Sequence, residues 1–79
     1  MIKALFFGPV AEILGQRVLE IEHRSGLTLE MLKAQLAVQY PDAFQQVSFV
    51  AINGVQARDA SLTIDDGSEI AFMAKFSGG

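Results

Sequence analysis

One amphipathic stripe limits what this chain can fold into. Leu29, Leu32, Leu36 and Tyr40 recur at helical spacing, with Glu30, Lys33 and Gln39 off the stripe. Thr28 is placed to cap the start of this helix, and Glu30 sits in the first turn, where the helix dipole favours a negative charge. Pro41 stops it, because the residue before a proline avoids α geometry. The result is one main helix of about three turns, and it has a single apolar face to bury. The other apolar runs read as strands, so the helix packs on one face of a sheet.

The first of those runs, Ile2-Lys3-Ala4-Leu5-Phe6-Phe7, ends at Gly8-Pro9 and is expected to be a strand buried on both faces. Pro9 suits the first turn of a short helix, Pro9 to Leu14, closed by Gly15. Arg17-Val18-Leu19-Glu20-Ile21-Glu22 partly alternates and reads as a half-exposed second strand, followed by a turn from His23 to Gly26. After the main helix, Val47 to Ile52 is a third strand. Asn53-Gly54 then signals a type I′ turn, in which both central residues need positive φ. Leu62-Thr63-Ile64 is a minor strand leading to a turn at Asp65-Asp66-Gly67, and Glu69 to Met73 is the last strand. Strand, strand, helix, strand, minor strands, strand is the order of the β-grasp fold of ubiquitin-like proteins: α+β, a mixed sheet with one main helix on one face. Residues 1–74 form the domain and 75–79 a flexible tail.

Composition excludes several function classes. The chain has 79 residues, room for one domain with a small core, and 51% of them are hydrophobic, which argues against disorder. A formal net charge of −3 offers no basic footprint for nucleic acid. No apolar run approaches the length of a membrane span, and Met1-Ile2-Lys3 enters a strand directly, with no signal peptide expected. The absence of cysteine removes disulfides, thiolate zinc sites and any thiol nucleophile or persulfide on this chain. A cytoplasmic location is expected.

The chain ends in Ser77-Gly78-Gly79. Without Cβ atoms, such a terminus can enter a channel too narrow for side chains, and its carboxylate can be activated by another protein. Lys75 to Gly79, fully extended, would reach roughly 16 Å.

These segments together resemble the small subunit of molybdopterin synthase, the MoaD-like sulfur carriers of the MoaD/ThiS family. Three segments carry the resemblance, in order and at matching spacing: the opening Ile2 to Gly15 with its Phe6-Phe7, then Val50-Ala51-Ile52-Asn53-Gly54, then Asp66-Gly67-Ser68-Glu69-Ile70-Ala71-Phe72 with a short tail and Gly-Gly. Two departures bear on the partner rather than on the terminus. Ala11 stands before Glu12 where the family has Arg, and Met73-Ala74-Lys75-Phe76 replaces a proline-containing stretch, so the tail costs more entropy to order.

The resemblance implies a chemistry. A ubiquitin-activating-like adenylyltransferase uses ATP to adenylate Gly79. Sulfur displaces AMP to leave a thiocarboxylate. The tail residues Lys75, Phe76, Ser77 and Gly78 then insert into the large synthase subunit of a heterotetramer. There the sulfur passes to a pterin precursor in molybdenum cofactor biosynthesis. This chain would bind no cofactor itself and would be a sulfur-donating subunit rather than an enzyme alone. Phe7, Phe72 and Met73 are the implied partner interface, near the tail root.

The side chains themselves compose no catalytic constellation. His23 has only Glu20 and Glu22 nearby in sequence, too few fixed ligands for a metal. Asp65-Asp66-Gly67 lacks the spacing of a calcium loop, Ser61 and Ser77 lack a base, and Gly8-Pro9 is no phosphate loop. The alternatives are a sulfur carrier for thiazole or cysteine synthesis, a ubiquitin-like modifier joined to lysines through Gly79, and an interaction domain whose Gly-Gly is incidental.

Overall fold

The computed structural model describes residues 1–75. Strand β1 (Ile2–Phe6) leads into helix α1 (Gly8–Leu14) and strand β2 (Val18–Ile21). The main helix α2 (Leu29–Gln39) is followed by the single-turn helix α3 (Pro41–Phe44), then β3 (Val47–Ile52), β4 (Val55–Gln56) and β5 (Glu69–Ala74). The strands form one five-stranded sheet in the order β2-β1-β5-β3-β4. Its centre is a parallel pair, β1 with β5, in the register Lys3↔Glu69 through Phe6↔Phe72; the other pairings are antiparallel. This is the α+β, β-grasp arrangement.

Burial along β1 alternates. Ile2, Ala4 and Phe6 are buried, whereas Lys3 is exposed and Leu5 half-buried. The expectation of a strand covered on both faces is therefore corrected: all the helices share one face, and the other stays open. The inner residues of β1 and β5 meet Leu29, Leu32 and Leu36 of α2, Val10 of α1 and Ala43 of α3 in one core. At its heart, Phe6 and Phe72 stack with centroids 5.5 Å apart, and Phe44 meets Phe72 edge-on at 5.1 Å. Each such pair contributes roughly 0.5–1.5 kcal/mol beyond area burial.

Local signals placed the helices. Thr28 is extended, and its Oγ1 accepts a hydrogen bond from the Met31 N–H at 3.2 Å. Tyr40 leaves helical geometry before Pro41, as expected, but Pro41 then opens α3 at its first position. Four residues are too few for a periodic pattern to announce, so α3 is an addition to the expected order. It is also what carries Phe44 to the core pair.

Asn53 (φ +51°) and Gly54 (φ +85°) both adopt left-handed geometry, as the turn requires. Asn53 further ties this turn to the start of β5, donating its N–H to the Glu69 carbonyl at 2.8 Å and accepting the Glu69 N–H on Oδ1 at 2.9 Å. Leu62-Thr63-Ile64 does not join the sheet. It pairs instead with the entry to α2, through a Thr28↔Thr63 bridge and an Ile64 N–H to Leu27 carbonyl bond of 2.8 Å.

Two predictions follow from these contacts. Thr28→Ala should cost about 1 kcal/mol in chemical denaturation, from the lost cap. The second concerns acid. The Met1 ammonium lies 2.6 Å from Asp66 and holds its carboxyl below the usual carboxylate range. The Ser61 hydroxyl and N–H do the same for Asp59. A carboxyl depressed in the folded state stabilises above its unfolded pKa, and that contribution disappears as pH falls through the folded value. Thermal stability should therefore decline with acid below about pH 4. In an NMR pH titration, Asp59 and Asp66 should protonate below the ordinary carboxylate range.

Candidate functional site

Because β1 and β5 run parallel, their C-terminal ends emerge side by side. The Phe7 N–H donates to the Phe72 carbonyl at 3.3 Å, carrying the ladder one residue beyond β1. The chain then swings away through Gly8, whose φ of +56° suits glycine. β5 stops at Ala74, and Lys75 is exposed just beyond it. The root of the tail thus sits beside Phe7. Phe76, Ser77, Gly78 and Gly79 lie outside the described residues.

Phe7 is 47% exposed, and Met73 is half-buried on the neighbouring strand. Phe72, expected at the interface, is instead fully buried and belongs to the core. The reason is strand parity. Phe72 pairs with Phe6 on the helix-covered face, so Phe7 and Met73 fall on the open one. Phe49, opposite Met73 in the β3 register and 40% exposed, joins them. It is a surface aromatic that the sequence reading missed. Val47 to Ile52 is almost continuously apolar, and a bulge between Val47 and Phe49 breaks the alternation that would have assigned its faces.

The open face is graded in polarity. Far from the tail, Glu20, Lys3 and Glu69 are neighbours across three strands. The next row is Val18, Leu5, Ala71 and Ala51, and the row nearest the tail root holds Phe7, Met73 and Phe49. Beside it, α1 and the start of β2 enclose a groove of about 660 Å³, lined by Leu5, Phe7, Ala11 and Val18 and by the charged Glu12 and Arg17. Apolar surface grouped in this way marks a contact surface.

The polar candidates have structural work. The Ile64 carbonyl lies 3.0 Å from His23 Nε2, and a carbonyl can only accept, so Nε2 carries the hydrogen and pins the loop after β2. Asp65 to Ser68 closes as a turn, with the Ser68 N–H on the Asp65 carbonyl. Ser61 donates to Asp59 two residues away. Among the described residues, no three histidine or acidic side chains cluster to hold a metal, and no helix is long and apolar enough to cross a membrane. The described surface offers an apolar platform beside Lys75.

The sequence profile of the ThiS family matches residues 4–79. The chain belongs to the ThiS family. Comparison with curated proteins by sequence gives no match. Among solved structures, SAMP1 from Haloferax volcanii superposes with a TM-score of 0.83 at 21% identity, covering 99% of this chain and 98% of that one. Urm1 from Trypanosoma brucei gives 0.74 at 23% identity, covering 99% and 94%. A chain of the complex of subunits 1 and 2 of the molybdopterin-converting factor from Helicobacter pylori gives 0.71 at 22% identity, covering 99% and 97%. At these identities the likenesses show the shared fold. This ThiS family member has the β-grasp framework common to sulfur carriers and ubiquitin-like modifiers.

The two phenylalanines should separate by stability. Phe72→Ala is expected to cost roughly 3–5 kcal/mol in urea unfolding, as for a large core side chain. Phe7→Ala should stay within about 0.5 kcal/mol, as for a surface one.

Proposed function

We propose that this protein is the sulfur-carrying small subunit of a molybdopterin synthase, with Gly79 as the reacting residue. The observation that carries the reading is the parallel β1–β5 pair, which brings the base of a Gly-Gly tail beside exposed apolar side chains. Family membership and the likeness to a chain of a two-subunit molybdopterin-converting factor support it.

The chemistry needs only the terminus from this chain. A carboxylate is a poor acyl donor. A ubiquitin-activating-like adenylyltransferase joins it to AMP from ATP and releases pyrophosphate. A sulfide-equivalent nucleophile then forms a C–S bond as the C–O bond to AMP breaks, leaving a thiocarboxylate. The tail, from Lys75 to Gly78, carries this sulfur into the large subunit, which supplies the catalytic side chains and the pterin precursor. After transfer and hydrolysis the terminus is a carboxylate again. Phe7 and Met73 anchor the complex, with Phe49 and the groove beside α1 extending the contact. The chain itself binds no cofactor and works in the cytoplasm.

A second reading, a modifier joined to lysines through Gly79, is favoured by the likeness to SAMP1 and Urm1.

Intact mass after co-expression with sulfur-transfer machinery separates them. The carrier should show one oxygen exchanged for sulfur, and deletion of Gly79 or extension beyond it should abolish the product. An isopeptide-linked ladder without thiocarboxylate would select the modifier. Phe7→Asp or Met73→Asp should weaken binding to a large synthase subunit by about 1.5–3 kcal/mol in calorimetry, the worth of one buried apolar anchor.

A further inference from the structure

A second surface lies at the opposite edge of the sheet. β4 is two residues long and pairs only with Ala51 and Ile52 of β3. Beyond it, the Ala57 N–H takes the Val50 carbonyl at 2.8 Å. Among the described residues, no strand flanks Val47 to Phe49 on that side. Between this stretch and the start of α2 runs a groove of about 330 Å³. The buried Leu29 and Val50 floor it, Phe49 borders it on the open-face side, and Lys33 and Arg58 contribute its charge.

The charge is one-sided. No acidic side chain lines the groove among the described residues, although the whole chain carries a net charge of −3. Asp59, next to Arg58, has its carboxylate engaged by the Ser61 N–H and hydroxyl. Neither Lys33 nor Arg58 forms an ion pair among the described residues. Two unneutralised cations beside an open strand edge and an apolar wall match three features of one ligand: extended backbone, alternate apolar side chains, and carboxylates. The bulge at Ser48 interrupts regular pairing, which limits an added strand to a few residues and disfavours open-ended sheet growth.

We propose that the groove between β3 and α2 binds a short, extended, acidic segment of a partner protein, added as a strand beside Val47–Phe49 with its carboxylates at Lys33 and Arg58. This surface meets the tail-root platform only at Phe49, and the proposal stands whether the chain carries sulfur or modifies proteins.

The test is a titration of the full-length, isotope-labelled protein with the peptide acetyl-Glu-Val-Asp-Val-Glu-amide, read by amide shifts. Shifts centred on Ser48, Lys33 and Arg58 are expected. Raising salt should weaken them, and a matched peptide with lysine at each acidic position should not produce them. The double variant Lys33→Glu, Arg58→Glu changes two surface positions and should weaken binding about tenfold or more at an unchanged melting temperature. Ser48→Pro, which removes one edge N–H, should reduce binding with both cations still in place. Several outcomes would overturn the proposal: no shift at millimolar peptide, shifts centred on Phe7 and Met73, equal binding of the lysine peptide, undiminished binding by the double variant, or preferential binding of oligouridylate in the same groove.

Discussion

The parallel pairing of β1 with β5 is the contact on which the rest of the molecule depends. It joins the two ends of the described chain at the centre of the sheet, with β2 and β3 outside them. It buries Ile2, Ala4 and Phe6 beside Ile70, Phe72 and Ala74. It also sets where Lys75, the last described residue, leaves the sheet. Had β5 run antiparallel to β1, its C-terminal end would lie beside Lys3 and Glu20 at the start of β1, away from Phe7. One choice of strand direction thus sets both the core and the place where the terminus departs.

The aromatic cluster shows how the pair is held. Phe6 and Phe72 face each other in register and stack, and Phe44 closes over them from α3. Phe7 is adjacent in sequence to Phe6, yet it is exposed because strand side chains alternate. The same side chain is therefore core at one position and exposed surface at the next. The open face follows this logic throughout. Its charged row lies at the start of β1 and its apolar row at the end, so the surface has a direction that points to the tail root. The second groove, at the β3 edge, has the opposite character, with cations beside an unpaired strand.

Much of the fold was legible residue by residue. Thr28, the leucine stripe and Pro41 bounded α2, Asn53-Gly54 marked its turn, and Phe6-Phe7 before Gly8-Pro9 marked the end of β1. Failures came where local pattern is silent. A single-turn helix has no period, so α3 went unseen. With only Lys3 in β1 and Ser48 in β3 breaking otherwise apolar runs, and a bulge shifting the register at Ser48, neither the open face of β1 nor the exposure of Phe49 was assigned. Leu62 to Ile64 had strand composition but found its partner at the entry to α2. The sequence expectation of a reacting terminus at Gly78-Gly79 falls outside the described residues. The candidate surface was not legible, which is why Phe72 was placed there and Phe49 was not.

By itself, then, the order of residues determined the main helix, the four longer strands and their approximate limits, because caps, turns and helical periodicity act over a few neighbours. Tertiary structure alone decided which side of each strand meets water. That depends on which strands become neighbours and in what register, a question answered by contacts between residues as far apart as Phe6 and Phe72. From that register came the exposed Phe7, Met73 and Phe49, the buried Phe72, and the emergence of the tail beside them.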